Sequence, residues 1–216
     1  MAVNADRLKR NAAANGRIFM DSLRENRVLV FFSVFLICGM AFGAVFARNA
    51  DIITLKKLDF LFYSNFQSRA GQPISTVFSA SFASSFLFIF VCFLCGLSMW
   101  GMFFIPAVLF FRGFGLGLTS GYLYAAYGGK GVLFNLSVIL PGAFVCCIAI
   151  LLAAKEGARF SRVIASYSAG AGKKAIGPPK MKPYVLRFGA ILAVAFLAAV
   201  FDVLFSGCFA GMFSFK

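Results

Sequence analysis

Residues Gly96–Gly142 read GLSMWGMFFIPAVLFFRGFGLGLTSGYLYAAYGGKGVLFNLSVILPG. The stretch is apolar enough to lie in lipid, yet glycines punctuate it, Pro106 interrupts it and Arg112 charges it. A helix that only faces lipid needs none of these. Small residues let helix backbones approach closely. An arginine at membrane depth costs roughly 2.5–3.5 kcal/mol on insertion scales, so it marks a protected or functional place. Gly113, Gly117 and Gly121 recur every fourth residue and form one smooth helical stripe, with Gly115 beside it. Pro106 falls early in its helix, where a missing amide is easiest to accommodate. Pro141-Gly142 falls near the middle of the next apolar run and predicts a kink or local unwinding.

The rest of the chain extends this reading. Of its 216 residues, 61% are hydrophobic and 13% charged. Soluble domains are roughly half apolar and about a quarter charged, so the expected class is an all-α, polytopic membrane bundle. There is no histidine. That excludes His-based metal sites, His general bases and Ser-His or Cys-His nucleophiles. No P-loop, H-E-x-x-H or G-x-S-x-G occurs, so no enzyme activity, cofactor or metal is expected. Cys38, Cys92, Cys95, Cys146, Cys147 and Cys208 all lie in apolar runs, and Cys92–Cys95 reads as two small apolar residues on one helix face. The net charge of +14 gathers in segments flanking apolar runs, which is a matter of topology and not of nucleic acid binding.

Five apolar runs predict five spans, at about 28–47, 77–100, 103–127, 132–154 and 185–205. Residues 1–27 form a basic amino-terminal segment, either a helix lying on the membrane surface or a solvated tail. The first span is uncleaved and carries Gly39 and Gly43, a GxxxG that is either a packing face or chance. The loop 48–76 carries Ile52, Leu55, Leu58, Phe62 and Phe66 at helical spacing. That stripe rests on lipid, on the protein's own helices or on a partner; a plain linker is the alternative. The run Phe78–Ser85 is rich in small residues and would pack against a neighbouring helix. Gly128–Gly131 is a short turn, and 155–183 is a basic loop that Gly170–Gly172 and Gly177-Pro-Pro179 break into a short helical continuation and a flexible linker. Thirteen Lys and Arg fall in segments 1–27 and 155–183, against six in the opposite segments, which puts the amino terminus inside and the carboxyl terminus outside. Arg112 either snorkels to the inner surface or pairs with Asp202, the acidic residue of the fifth span.

One pattern here is distinctive as a set: Gly96, Trp100-Gly101, Pro106, Arg112-Gly113, Gly117, Gly121, Gly128, Lys130-Gly131 and Leu140-Pro141. It resembles the stage II sporulation protein M family, over roughly residues 28–154. After Pro141 the chain departs from that pattern with Gly142-Ala-Phe. The resemblance implies a five-span protein of the bacterial plasma membrane, acting in forespore engulfment at the sporulation septum. It implies a scaffold that anchors two cell-wall hydrolases, stage II sporulation proteins D and P. Such partners would meet the chain through its outer segments, and the stripe Leu55, Leu58, Phe62 and Phe66 of the largest one is the candidate partner surface. The residues leave open self-association into a homo-oligomer, and a transport-related, permease-like subunit as the alternative function.

Overall fold

The computed structural model describes residues 27–49, 74–168 and 181–209. The amino-terminal segment, the Leu55–Phe66 stripe, much of the basic loop and the carboxyl-terminal tail lie outside the described residues. The described chain is helical: α1 (Arg27–Arg48), α2 (Ile74–Leu97), α3 (Gly101–Phe134), a π-helical turn (Asn135–Ile139), α4 (Leu140–Ser168) and α5 (Met181–Phe209). Four helical runs are long and apolar enough to cross a membrane: Arg27–Arg48, Phe78–Leu97, Gly101–Ser168 and Met181–Phe205.

The 68-residue run Gly101–Ser168 is a hairpin. Straight, it would extend about 100 Å. Instead the Met102 amide donates to the Ser161 hydroxyl at 3.3 Å, and Asn135 Nδ2 donates to the Ser120 hydroxyl at 2.9 Å. Gly128 makes the reversal, with φ 56° and ψ −133°, a conformation that a Cβ strongly disfavours. The expected third and fourth spans are therefore the two arms of one helical run, joined by a single non-helical residue.

Neighbour contacts then give each segment a direction. Gly39 and Gly43 of α1 lie beside Phe110 and Phe114 of α3, so α1 runs parallel to the first arm. Ser85 and Cys92 of α2 lie beside Cys146 and Gly157 of α4, so these two are parallel. Phe78 meets Phe196 and Phe93 meets Tyr184, so α5 opposes α2. The main core is built at the end where α2 turns into α3. It holds Ile89, Ile105, Leu109, Ile150, Tyr184 and Phe188. The outward faces carry large apolar side chains, among them Phe31, Phe42, Phe111, Phe144 and Leu186, as a lipid-facing surface requires.

The basic segment 155–183 begins with the expected helical continuation, which reaches Ser168. Its apolar residues explain this, since Gly157, Ala158, Phe160 and Ser161 are all buried. Ser161 is fully buried and ties the α2–α3 turn together. Its hydroxyl donates to the Ser98 carbonyl at 2.8 Å and accepts from the Met102 amide. The turn is tight because Gly101 carries no Cβ; the nearest obstacle would be the Cys95 carbonyl. Glu156 pairs with Arg187 of α5 at 2.7 Å.

Candidate functional site: a polar cavity inside the bundle

The glycine stripe organises one side of α3. A Cβ on Gly117 would come within 2.7 Å of the Met40 carbonyl carbon, and one on Gly121 within 2.8 Å of the Ala44 oxygen. A Cβ on Gly43 would come within 2.8 Å of the Leu118 amide nitrogen. Gly39 and Gly113 face the main chains of Phe110 and Leu36 in the same way. The two stripes thus mate, glycine against backbone, and draw α3 onto α1. Gly115 does not share this role. Two residues along a helix is about 200° of rotation, and a Cβ there would meet nothing within 4 Å.

With α3 drawn onto α1, a cavity of about 310 Å³ remains between α2, α3, α4 and α5. Gly115 lies on its wall, and its polar lining is Ser81, Ser84, Ser85, Arg112, Thr119 and Asp202. Small residues on the facing helices, Ala80, Gly142 and Ala143, keep it open. It opens sideways between α2 and α3, where Ser84 and Gly115 are exposed. The small-residue run of α2 therefore serves two purposes. Ser85 packs inward, its Oγ 3.0 Å from Cys146 Sγ, while Ser81 and Ser84 line the space.

The Arg112 guanidinium reaches across this space to α2 and α4. Its Nη1 donates to Ser84 Oγ and its Nη2 to Cys146 Sγ, both at 3.3 Å. The guanidinium carbon stands 5.3 Å from the centroid of the Phe88 ring, within reach of a cation–π attraction. Nε is buried and has no hydrogen-bond partner. Asp202, the residue expected to pair with Arg112, is buried and lines the same cavity. Its carboxylate rests on Gly142: a Cβ there would stand 2.8 Å from both Asp202 Cβ and Oδ1. Gly142 is thus small for packing reasons, whereas the backbone adjustment expected of Pro141-Gly142 falls just upstream. Pro141 has no N–H for the helical ladder, and the ladder widens before it, the Leu140 amide donating to the Asn135 carbonyl in π register. Pro106 is buried in the second turn of α3 and leaves the helix unbroken.

Sequence reasoning offered Arg112 and Asp202 as a pair, one of two readings of Arg112, and singled out Gly142 separately; it did not foresee that the three line one cavity. It missed Ser81, Ser84, Thr119 and Cys146. The available signal was helical phase: Ser81, Ser84 and Ser85 share one face of α2. Cys92 and Cys95 are free thiols, as are Cys38, Cys146 and Cys147. Among the described residues, no group of three or more His, Cys, Asp or Glu is placed to hold a metal ion.

A second cavity of about 290 Å³ lies on the other side of α3, between α1 and α4. Its walls are mostly apolar, including Leu36, Met40, Ile139, Phe144 and Leu151. It presents no charge and only a few hydroxyl and amide groups, so of these two cavities the Arg112 cavity is the charged one.

No curated protein and no solved structure matches the chain. The family model described as "Stage II sporulation protein M" matches residues 30–207, which takes in nearly all of the helical runs and every residue that lines the cavity. This multi-pass membrane protein belongs to the stage II sporulation protein M family.

Proposed function

We propose that the chain is a non-enzymatic membrane scaffold that anchors peptidoglycan hydrolases during endospore engulfment. The observation that carries this reading is the family match over residues 30–207, which makes the protein sporulation-related. The partners are stage II sporulation proteins D and P, and the location is the septal and engulfing membrane. The protein crosses the plasma membrane five times, amino terminus in the cytoplasm and carboxyl terminus outside. Two things support that topology: the reversal at Gly128, which turns four apolar runs into five segments of alternating direction, and the excess of Lys and Arg in segments 1–27 and 155–183. A scaffold needs surfaces, and hydrolases outside the cell reach this protein only through its outer segments. The apolar stripe Leu55, Leu58, Phe62 and Phe66 is the docking site.

The test is co-purification from detergent with proteins D and P, comparing wild type with Leu58→Asp/Phe62→Asp. The double variant should insert and accumulate normally and lose hydrolase recovery. Undiminished recovery removes this loop as the docking site, and no recovery by wild type removes the scaffold reading.

One observation favours a second reading, a transport-related subunit: a charged, hydroxyl-lined cavity within the helical bundle. Solute flux in vesicles that hold the protein, with no hydrolase capture, would select it.

A further inference from the structure

The Arg112 cavity has a chemistry that neither packing nor hydrolase docking uses. We infer that it binds a small solute through a single carboxylate group, held by the Arg112 guanidinium and the hydroxyl of Ser84. The inference rests on the cavity alone and goes beyond the scaffold reading.

Four observations carry it. First, Arg112 donates from Nη1 to a hydroxyl and from Nη2 to a thiol, both neutral and both long at 3.3 Å. A guanidinium carries five N–H donors in a planar fork that matches a carboxylate. The second N–H on each of Nη1 and Nη2 is what a carboxylate in the cavity would take, with a charge-assisted bond about twice the strength of a neutral one. Second, the space is real and of solute size, about 310 Å³, and it is open to the outside of the bundle between α2 and α3. Third, Gly115 has no packing neighbour that demands a glycine, unlike Gly113 and Gly117 on the opposite face. A Cβ at position 115 would stand on the cavity wall and meet nothing within 4 Å. Fourth, Asp202 sets the ligand's charge. A carboxylate on the same wall repels a dianion in a low-dielectric site, and it attracts an ammonium group. The carboxylate therefore comes either from a plain monocarboxylate or from an amino acid whose ammonium group faces Asp202.

The experiment is isothermal titration of the full-length protein in detergent micelles with sodium propionate, alanine and sodium phosphate. Saturable heat with propionate or alanine is expected. Alanine binding more tightly than propionate, with the difference lost in Asp202→Asn, identifies the amino acid form; equal binding identifies the plain carboxylate. Arg112→Gln should weaken binding by at least about tenfold, the scale of one charge-assisted bond, and Arg112→Lys should restore part of it. Because Arg112 variants can also fail to fold, Gly115→Leu is the companion test. It should keep the wild-type melting temperature and abolish the heat. Three results overturn the inference: no saturable heat with either carboxylate, unchanged binding in Gly115→Leu, or phosphate binding more tightly than both.

Discussion

Gly117 lies against the main chain of Met40, so closely that a Cβ would come within 2.7 Å of the Met40 carbonyl carbon. Backbone cannot move aside as a flexible side chain can. Gly117→Leu must therefore push α3 off α1, at a cost above the roughly 1–3 kcal/mol of ordinary core overpacking. The expected outcome is a large fall in melting temperature in detergent and rapid proteolysis. Gly115→Leu, two residues away, should leave both unchanged. Equal behaviour of the two variants would mean that the stripe does not hold α1 and α3 together.

Ser161 should be worth more than its size suggests. It joins the last carbonyls of α2 to the first amides of α3 from the neighbouring helix. Ser161→Ala keeps the packing and orphans the Met102 amide, while the Ser98 carbonyl keeps the Gly101 amide; at about 1–3 kcal/mol for an unsatisfied buried group this predicts a measurable loss of stability. Denaturant or thermal unfolding of the purified variant measures it, and a wild-type midpoint would show that water replaces the hydroxyl without cost.

Tyr184 and Arg187 sit one turn apart on α5 and should differ sharply. The Tyr184 hydroxyl donates to the Phe93 carbonyl at 2.9 Å, with its ring stacked 4.1 Å from that of Phe160. Tyr184→Phe should cost about 1 kcal/mol, the usual net worth of one such bond. The Arg187 side chain is 48% exposed. Removing its pair with Glu156 by Arg187→Gln should cost less than about 1 kcal/mol and less still at high salt. A larger loss for Arg187→Gln than for Tyr184→Phe would reverse this ranking.

Topology can be read by cysteine labelling in a Cys-free background. A cysteine placed at Gly129, beside the reversal, should label from outside intact cells. One placed at Gly172, in the basic segment between α4 and α5, should label only after the cells are opened. Outside labelling at position 172 would invert the orientation.

Much of this was legible in the chain. Twenty-residue apolar runs bounded by charge specify spanning helices, because lipid offers no partner for a free backbone group. Gly39–Gly43 and Gly113–Gly117–Gly121 announce close approach, because only a missing Cβ lets two backbones touch. The packing of the α4 continuation was less legible: Lys155, Arg159 and Arg162 mark it as basic, yet Gly157, Ala158 and Ser161 between them are buried, Gly157 and Ser161 against α2 and its turn. Helical phase places those residues on one face, and only the neighbour shows that the face is covered. The tertiary structure alone decided which glycine stripe mates with which, and that Arg112, Ser84, Thr119 and Asp202 converge on one cavity. These residues come from three helices, and Arg112 and Asp202 are 90 positions apart. Periodicity along a helix fixes which side chains share a face; the rotation of each helix against its neighbours fixes which faces meet, and that is set by packing across the whole bundle.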